Sequence, residues 1–128
     1  TSKNAAEICD KLKIKNREIF YVTRCYSTRH GNGWMPNEEK IELINTYAEI
    51  NVFNEYQKDF RIGEVNYDLL NYALKVDEIY SENAEKNLVV TCLDQREKFK
   101  FDYTKLKTDF KNIYESCSPF SENLVQIR

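Results

Sequence analysis

Apolar positions along the chain recur at two spacings, one typical of helices and the other of strands. Within residues 4–14 they return every three or four positions, so we predict a helix that Ser2 or Asn4 caps. Residues 66–80 repeat this pattern after a second capping residue, Asn66. The apolar face of that helix is predicted to comprise Leu69, Leu70, Ala73, Val76 and Tyr80.

Three segments have the composition of strands instead. Residues 18–27 are rich in β-branched and aromatic side chains, and residues 88–93 are almost entirely apolar. A strand as apolar as the second is typical of a sheet that is covered on both faces. Residues 123–127 are predicted to form a final strand.

The segments between these elements complete the predicted fold. Residues 38–50 and 103–114 are predicted to be helices, the second with an exposed lysine-rich side. Residues 31–36, which hold two of the three glycines, are predicted to form a loop, and residues 51–63 an ordered loop. Because helices and strands alternate, we predict an α/β fold that contains part of a mostly parallel sheet with flanking helices.

Composition fits a single domain across residues 1–128. Hydrophobic residues make up 41% of the chain and charged residues 31%, which allows a packed core and argues against disorder. The net charge of −2 argues against nucleic acid as a partner, since nucleic-acid-binding domains usually carry a basic excess. No apolar run reaches the roughly 18 residues needed to span a membrane. The chain begins with Thr1 rather than methionine, which suggests a start inside a longer protein.

Cysteine and histidine give little support for metal or catalytic chemistry. The cysteines have no C-x-x-C spacing, so they are predicted to be reduced and structural in a cytoplasmic protein; they are Cys9, Cys25, Cys92 and Cys117. His30 is the only histidine, and its place in a glycine-containing loop favours a structural hydrogen bond over catalysis. Neither G-x-x-x-x-G-K-[ST] nor G-x-G-x-x-G occurs.

Three short segments are candidates for ligand binding. Residues 28–33 join a predicted strand to a glycine-rich loop, where backbone amides and the Arg29 guanidinium suit an anion. The alternative is a tight structural turn with Arg29 in an ion pair. Residues 54–61 combine amides and cations suited to a carboxylate or phosphate, namely Asn54, Gln57, Lys58 and Arg61. The alternative there is an ordinary solvated loop.

The third segment, residues 91–94, follows the most apolar predicted strand. Open α/β sheets bind ligands beyond the carboxyl ends of their strands, so Thr91 and Asp94 are candidate ligand contacts. A carboxylate at this place can accept two hydrogen bonds from the edge of a purine ring. The alternative is that Asp94 only ends the strand or caps a turn.

Taken in order along the chain, these segments resemble adenylosuccinate synthetase. Residues 26–38 look like the family's Y-[ST]-T-R-V-G-x-G-P-F-P-T-E, and Thr1 with Ser2 looks like its T-S-S-N-T segment. Four shorter segments match in the same order: residues 61–63 the end of T-T-G-R-x-R-R-x-G-W, residues 66–74 the helix after it, residues 88–94 L-T-K-L-D, and residues 116–119 the closing S-T-G-P. The short stretch between Asp94 and Tyr103 resembles the small viral-type branch, some of whose members act on a deoxyguanylate.

The resemblance implies the C-terminal portion of a purine-nucleotide:aspartate ligase. In that family a nucleoside triphosphate, GTP or ATP with Mg²⁺, phosphorylates the 6-oxygen of a purine nucleoside monophosphate, and aspartate then displaces the phosphate. The family's catalytic aspartate and histidine and its G-D-E-G-K-G phosphate loop have no counterpart in this sequence. The resemblance therefore implies a missing N-terminal half or a partner chain. Because the absence of that half would leave a sheet edge unpaired, we expect the isolated chain to form a homodimer, to aggregate or to need a partner. The alternative is a non-catalytic, stand-alone module for nucleotide binding or protein interaction.

The resemblance also assigns roles to single residues. Thr1 matches a contact to the purine monophosphate, and Arg61 matches the arginine that faces the triphosphate and the aspartate site. Asn54, Gln57 and Lys58 occupy the place of the aspartate loop, although the family's T-T-G-R is not preserved. The predicted contacts to the donor base are Thr91, Asp94, Ser118 and Pro119, with Asp94 matching the aspartate that reads guanine.

One departure from the family concerns the choice of donor. Cys92 stands where the family has a lysine that packs over the donor base. The loss of that lysine favours a relaxed or changed donor, with ATP in place of GTP.

Overall fold

The computed structural model describes residues 2–40, 42–44, 53–95 and 97–128. Within these ranges the chain forms two helices and seven strands. The helices are α1 (Ser2–Lys11) and α2 (Tyr67–Ser81), and the strands are β1 (Glu18–Arg24), β2 (Ser27–His30), β3 (Glu38–Glu39), β4 (Phe60–Gly63), β5 (Glu85–Thr91), β6 (Asn112–Ser116) and β7 (Leu124–Gln126). The fold is mixed α/β, as the alternating pattern predicted.

Four strands form a mostly parallel sheet in the order β1-β5-β6-β7. Strand β5 lies between two parallel neighbours, with Tyr21 opposite Leu88 and Leu88 opposite Ile113. Strand β7 closes the sheet by running antiparallel to β6. The short apolar strand predicted near residue 88 is thus one of the two interior strands of this sheet.

Helix α2 packs against one face of the large sheet. The hydroxyl group of Tyr21 donates a hydrogen bond to Asp77 Oδ2 at 2.6 Å and lies within hydrogen-bond distance of Ser81 Oγ, at 3.1 Å; both partners are on the helix. The core beneath it is formed by buried apolar side chains from helix, strands and connecting segments, chiefly Leu74, Leu88, Val90, Phe99, Phe110 and Ile113. Burial of these apolar groups is the main source of stability for the domain.

The opposite face of the sheet is more polar and more open. The amide of Asn112 donates to Asn87 Oδ1 at 2.7 Å, and Gln126 donates to Asn112 Oδ1 at 2.9 Å, so a row of amides crosses three strands. Along β1 the same face exposes Phe20 (50%) and Val22 (67%). The apolar segment of residues 88–93 predicted a sheet that is covered on both faces. The described elements instead leave this face partly exposed along β1.

The other three strands form a small antiparallel sheet in the order β2-β4-β3. Strand β4 is central, with Arg29 of β2 directly opposite Arg61 and Glu38 of β3 opposite Gly63. This sheet follows directly from β1, since only Cys25 and Tyr26 separate β1 from β2. Both of these residues are buried in the core.

Several elements match the sequence predictions closely. Helix α2 begins after Asn66, whose Oδ1 accepts a hydrogen bond of 2.9 Å from the Leu69 amide, as expected of a helix cap. Helix α1 is confirmed but ends at Lys11, three residues earlier than predicted. Strands were also predicted at the positions of β1, β5 and β7, and the loop at residues 31–36 is confirmed.

The helix predicted across residues 103–114 is wrong. Asp102 caps only a single 3-10 turn, Tyr103–Lys105, and residues 112–116 form strand β6. Phe110 and Ile113 are buried, and pairing with β5 and β7 fixes the backbone as a strand. The tertiary pairing outweighs a local helical preference of a few tenths of a kcal/mol per residue.

Two other predictions for the middle of the chain need correction. The helix predicted from residue 38 cannot begin there, because Glu38 and Glu39 belong to strand β3. Most of the rest of that predicted helix lies outside the described residues. The loop predicted for residues 51–63 ends in strand β4, and its first two residues also lie outside the described ranges.

The burial of Cys25 differs from that of the other cysteines. Cys25 is buried, and its thiol donates to the Cys92 carbonyl oxygen at 3.0 Å, which fits a structural role. The other three cysteines are only half-buried.

Neither helix in the described part of the chain is long and apolar enough to cross a bilayer.

Replacing Leu74 by alanine tests the packing of α2. Leu74 is 4% exposed, so L74A should lower the free energy of unfolding by about 3 kcal/mol. Urea unfolding followed by circular dichroism measures the change. L69A removes the same side chain from an exposed position (59%) of the same helix and should cost no more than about 0.5 kcal/mol. Equal losses in both variants would show that α2 does not pack through Leu74.

Candidate functional site

Arg61, on β4, binds both the carboxylate of Glu38 and the loop of residues 31–36 (the glycine loop). Its Nε donates a hydrogen bond of 2.8 Å to Glu38 Oε1, and its Nη2 donates to Oε2 of the same carboxylate. Its Nη1 donates to the carbonyl oxygens of Gly31 at 2.7 Å and Gly33 at 2.8 Å. Most donors of the guanidinium are therefore engaged within the chain, and the loop is held against the small sheet.

Glycine is required at two places around this arginine. Gly33 has a φ of +110°, and a Cβ there would lie 2.6 Å from Nη2 of Arg29. At Gly63 the difficulty is the approach of another backbone, since a Cβ would lie 2.1 Å from the carbonyl oxygen of Asn37. The absence of side chains lets the loop and β3 pack closely around β4.

The pair formed by Arg61 and Glu38 shifts both titrations. The hydrogen bonds from Arg61 lower the pKa of the Glu38 carboxyl below its ordinary value, and the nearby positive charge acts in the same direction. The same hydrogen bonds raise the pKa of the Arg61 guanidinium. Both groups are consequently charged throughout the physiological pH range.

The predicted aspartate loop forms a turn closed by its own side chains. The Oδ1 atom of Asn54 accepts a hydrogen bond of 2.7 Å from the Gln57 amide, and its Nδ2 donates to Gln57 Oε1 at 3.2 Å. Lys58 has a φ of +62° and pairs with Asn54 through the backbone. The two amide side chains are thus engaged with each other, and aspartate binding by Asn54, Gln57 and Lys58 stays a prediction.

The carboxyl ends of β5 and β6 meet at one edge of the large sheet. Strand β5 ends at Thr91, and Asp94 follows in a short 3-10 turn, Leu93–Gln95. Strand β6 ends two residues before Ser118, which is followed by Pro119. Because these strands are parallel neighbours, the predicted contacts to the donor base lie at the same edge of the sheet.

Asp94 and Ser118 keep polar atoms that could meet a ligand. Asp94 is half-buried, and its Oδ2 accepts a hydrogen bond of 2.8 Å from the Gln95 amide group. Its Oδ1 accepts no hydrogen bond from the described residues. The Oγ of Ser118 accepts from the Phe120 amide at 3.1 Å and from Asn123 Nδ2 at 2.7 Å, so its hydroxyl proton remains to be donated.

Thr91 and Thr1 are two further residues with predicted ligand contacts. The hydroxyl group of Thr91 donates to the carbonyl oxygen of Thr23 at 3.1 Å and so links β5 to β1. Its contact to a nucleotide stays a prediction. Thr1 lies outside the described residues, so its predicted contact to a purine monophosphate stays a prediction as well.

The structure groups the three candidate segments into two places. Residues 28–33 and 54–61 come together in and beside the small sheet, where Gly31 donates its amide to the Asp59 carbonyl oxygen at 3.0 Å. Residues 91–94 lie at the edge of the large sheet instead. Arg61 is therefore part of the small sheet, whereas Asp94 and Ser118 belong to the large one.

Sequence reasoning missed a groove of 490 Å³ where the end of β1, strand β2 and the start of α2 meet. Arg24, Arg29 and Trp34 line it, and the Trp34 side chain is 79% exposed. Tyr26 also lines it, and burial raises the pKa of its hydroxyl group to about 12, so the phenol stays neutral. The single tryptophan of the chain, next to the glycine loop, was the available signal.

Acidic, histidine and cysteine side chains are dispersed over the described residues. Within those residues no three of them approach closely enough to hold a metal ion.

Comparison with known proteins assigns no family to the chain. No protein-family model matches it, and no curated protein matches it. The resemblance that rests on the sequence motifs accordingly stays a prediction.

The ion pair of Arg61 with Glu38 predicts a pH-dependent stability. Because the pKa of Glu38 is lower in the folded chain than its ordinary 4.5, its contribution is fully present above pH 4.5 and is lost as the pH falls through the folded pKa. The loss of unfolding free energy caused by Glu38→Gln should therefore be largest above pH 4.5 and shrink in acid. Urea unfolding of both proteins between pH 3 and 7 (roughly the range in which carboxylates titrate) measures it.

The control for this series is Glu55→Gln, which removes an exposed carboxylate from the turn beside the same sheet. Its unfolding free energy should follow that of the unmodified chain at every pH. If the two variants showed the same pH dependence, the ion pair would make no particular contribution to the stability of the small sheet.

Proposed function

We propose that this chain is the C-terminal part of a purine-nucleotide:aspartate ligase resembling adenylosuccinate synthetase, and that it supplies contacts to the base of the nucleoside triphosphate. The observation that carries the proposal is the parallel pairing of β5 with β6. It leaves Asp94 and the 118–119 segment at one sheet edge, although they are far apart in sequence. These are the two segments that the resemblance assigns to the donor base.

The chemistry of this edge suits a guanine ring. A carboxylate only accepts hydrogen bonds, and guanine offers two neighbouring donors, its N1–H and its 2-amino group. Adenine offers an acceptor at N1, which faces a carboxylate unfavourably. Cys92 favours ATP instead, because it stands in place of the lysine that packs over the donor base in the family. GTP and ATP are therefore both candidate donors, and they separate in the experiment below.

The other parts of the reaction belong to segments that this sequence lacks. Under the proposal, a missing N-terminal half or partner chain supplies the phosphate loop, the Mg²⁺ site and the catalytic aspartate and histidine. Strand β1 supports such an association. It is an edge strand, which the described strands pair on one side only, and it exposes Phe20 and Val22. An unpaired strand edge is a ready site for pairing with another chain. Dimerisation of the chain is part of the same proposal.

One observation favours the alternative, a stand-alone, non-catalytic nucleotide-binding module. Arg61 would face the triphosphate and aspartate in a working ligase. Here its guanidinium is engaged by Glu38 and by the carbonyl oxygens of the glycine loop. To contact a triphosphate it would have to exchange these partners for phosphate oxygens. A module that reads only the base needs no such exchange.

Asp94→Asn tests the reading of the donor base. GTP should shift the backbone amide resonances of residues 93–95, Ser118 and Phe120 in two-dimensional NMR spectra of the chain. The substitution replaces one acceptor of the carboxylate by an amide donor, so affinity for GTP should fall about tenfold, the effect of losing roughly 1.5 kcal/mol of charged hydrogen bonding. Affinity for ATP should change much less.

Asp59→Asn is the matched control, because Asp59 is exposed and lies on the side of the small sheet. It should leave the GTP titration unchanged. Equal binding of GTP and ATP that Asp94→Asn does not alter would refute the reading of guanine by Asp94. Shifts at neither segment, with either nucleotide, would refute the donor-base site itself.

A further inference from the structure

Strand β1 is the longest edge strand among the described strands, with seven residues against three in β7 at the other edge of the large sheet. Natural edge strands are usually kept short or interrupted by proline, lysine or a bulge. Strand β1 contains neither proline nor lysine, and its register with β5 runs through all seven residues. A cleft of 610 Å³ lies between α1 and the first half of β1, so the helix leaves room beside this edge.

The backbone of β1 directs hydrogen-bonding groups outward at every second residue. The carbonyl oxygen of Arg17 accepts from the Glu85 amide at 2.8 Å, and the Cys25 amide donates to the Thr91 carbonyl oxygen at 3.0 Å. Because this direction alternates along a strand, the odd-numbered residues of β1 pair with β5. The even-numbered residues direct their amides and carbonyl oxygens away from the sheet. They are Glu18, Phe20, Val22 and Arg24.

The side chains of these four residues form a row on the open face of the sheet, as the alternating exposure along β1 indicates. Phe20 and Val22 are the apolar middle of the row, and opposite charges stand at its two ends, Glu18 at the start and Arg24 at the end. A second copy that runs in the opposite direction presents the same row in reverse order. The row is therefore complementary to itself in charge and in apolar surface.

One register of an antiparallel pair uses this complementarity fully. Centred on Tyr21, it places Glu18 opposite Arg24 of the second copy and Phe20 opposite Val22. All of these are hydrogen-bonded positions, because their backbone groups are directed outward. Ion pairs and apolar pairs directly across an antiparallel ladder are stabilising. Moving the centre to Phe20 or to Val22 would lose both ion pairs.

Arg24 keeps its contacts within the chain in such a pair. Its guanidinium lies over the Tyr26 ring, with Cζ 5.7 Å from the ring centroid, and its Nη1 donates to the Tyr26 hydroxyl oxygen at 3.5 Å. A guanidinium has five N–H donors in a planar fork, so it can bind a carboxylate in addition. The ion pair with Glu18 of a second copy therefore adds to these contacts.

We propose that two copies of this chain pair through β1 in an antiparallel, two-fold arrangement centred on Tyr21, which joins their large sheets into one. Self-complementarity is what a two-fold interface requires, and it is the reason that the occupant of this edge is a second copy. The inference rests on the dimerisation that is part of the proposed function, and it deepens it by naming the strand and the register. It involves none of the residues assigned to the donor base.

Charge reversal tests the register. Glu18→Arg and Arg24→Glu each place two like-charged pairs across the two-fold axis. Each should therefore raise the dimer dissociation constant, measured by sedimentation velocity without nucleotide, at least about tenfold. Glu55→Arg reverses an exposed charge in the turn beside the small sheet and should leave the constant unchanged.

A one-to-one mixture of Glu18→Arg with Arg24→Glu should dimerise as tightly as the unmodified chain. Each arginine of one variant then faces a glutamate of the other, so both like-charged contacts become ion pairs. Misfolding of either variant could not produce this rescue. Its absence would overturn the proposed register.

A second pair of variants separates the two edges of the large sheet. Val22→Lys places a charge in the apolar middle of the interface and should give a monomer. Val125→Lys makes the same change on β7, where Val125 is 56% exposed, and should leave the dimer intact. Both positions are exposed, so both variants should remain folded, which a thermal melt checks. Dimers lost in Val125→Lys and kept in Val22→Lys would overturn the proposal.

Hydrogen exchange of single amides locates the pairing directly. The amides of Phe20 and Val22 should exchange more slowly as the protein concentration rises, whereas the Tyr21 amide, which is directed toward β5, should not change. A monomer at every concentration would overturn the proposal. The donor-base site is tested separately, because GTP-induced shifts at Ser118 and Phe120 do not depend on β1. Dimerisation without those shifts would contradict the donor-base contacts alone.

Discussion

Strand β5 lies between two parallel neighbours, and this pairing positions the residues at the carboxyl ends of three strands. Parallel strands end at the same edge, so the pairing of β5 with β6 places Asp94 near the segment of Ser118, and the pairing with β1 brings Arg24 to the same edge. Leu88 and Val90 of β5 are almost fully buried, which fixes the register of the three strands. A one-residue slip would turn those side chains outward and move the edge residues out of reach of one another.

Two arginines at directly paired positions of the small sheet have different partners. Two arginines face each other across β2 and β4, and a single carboxylate, that of Glu38, binds one of them. Arg61 thereby holds the glycine loop, whereas Arg29 lines the groove at the end of β1. The same residue type thus has different roles at directly paired positions, and only the three-dimensional partners distinguish them.

The sequence predicted those elements whose pattern is local. Helix α2 has helical spacing and a capping asparagine, and β5 contains the apolar run of residues 88–90, so both could be recognised directly. Strand β6 could not, because its strand character comes from pairing with residues 25 positions earlier rather than from its own composition. The same limit applied to the site. Glu38 and Arg61 are 23 residues apart, and nothing in either segment indicates that they form an ion pair.

The connection between β1 and β5 also has a consequence for how the domain is made. Cys25 and Cys92, which are joined by a hydrogen bond at the end of this pair, are 67 positions apart. A parallel pair with so long an intervening segment gains its contacts only after a large loss of chain entropy, so it forms slowly compared with a hairpin. During synthesis β1 leaves the ribosome well before β5, with Phe20 and Val22 already in the chain. Strand β1 therefore remains unpaired until β5 has been synthesised. During this interval the nascent domain is most prone to aggregation.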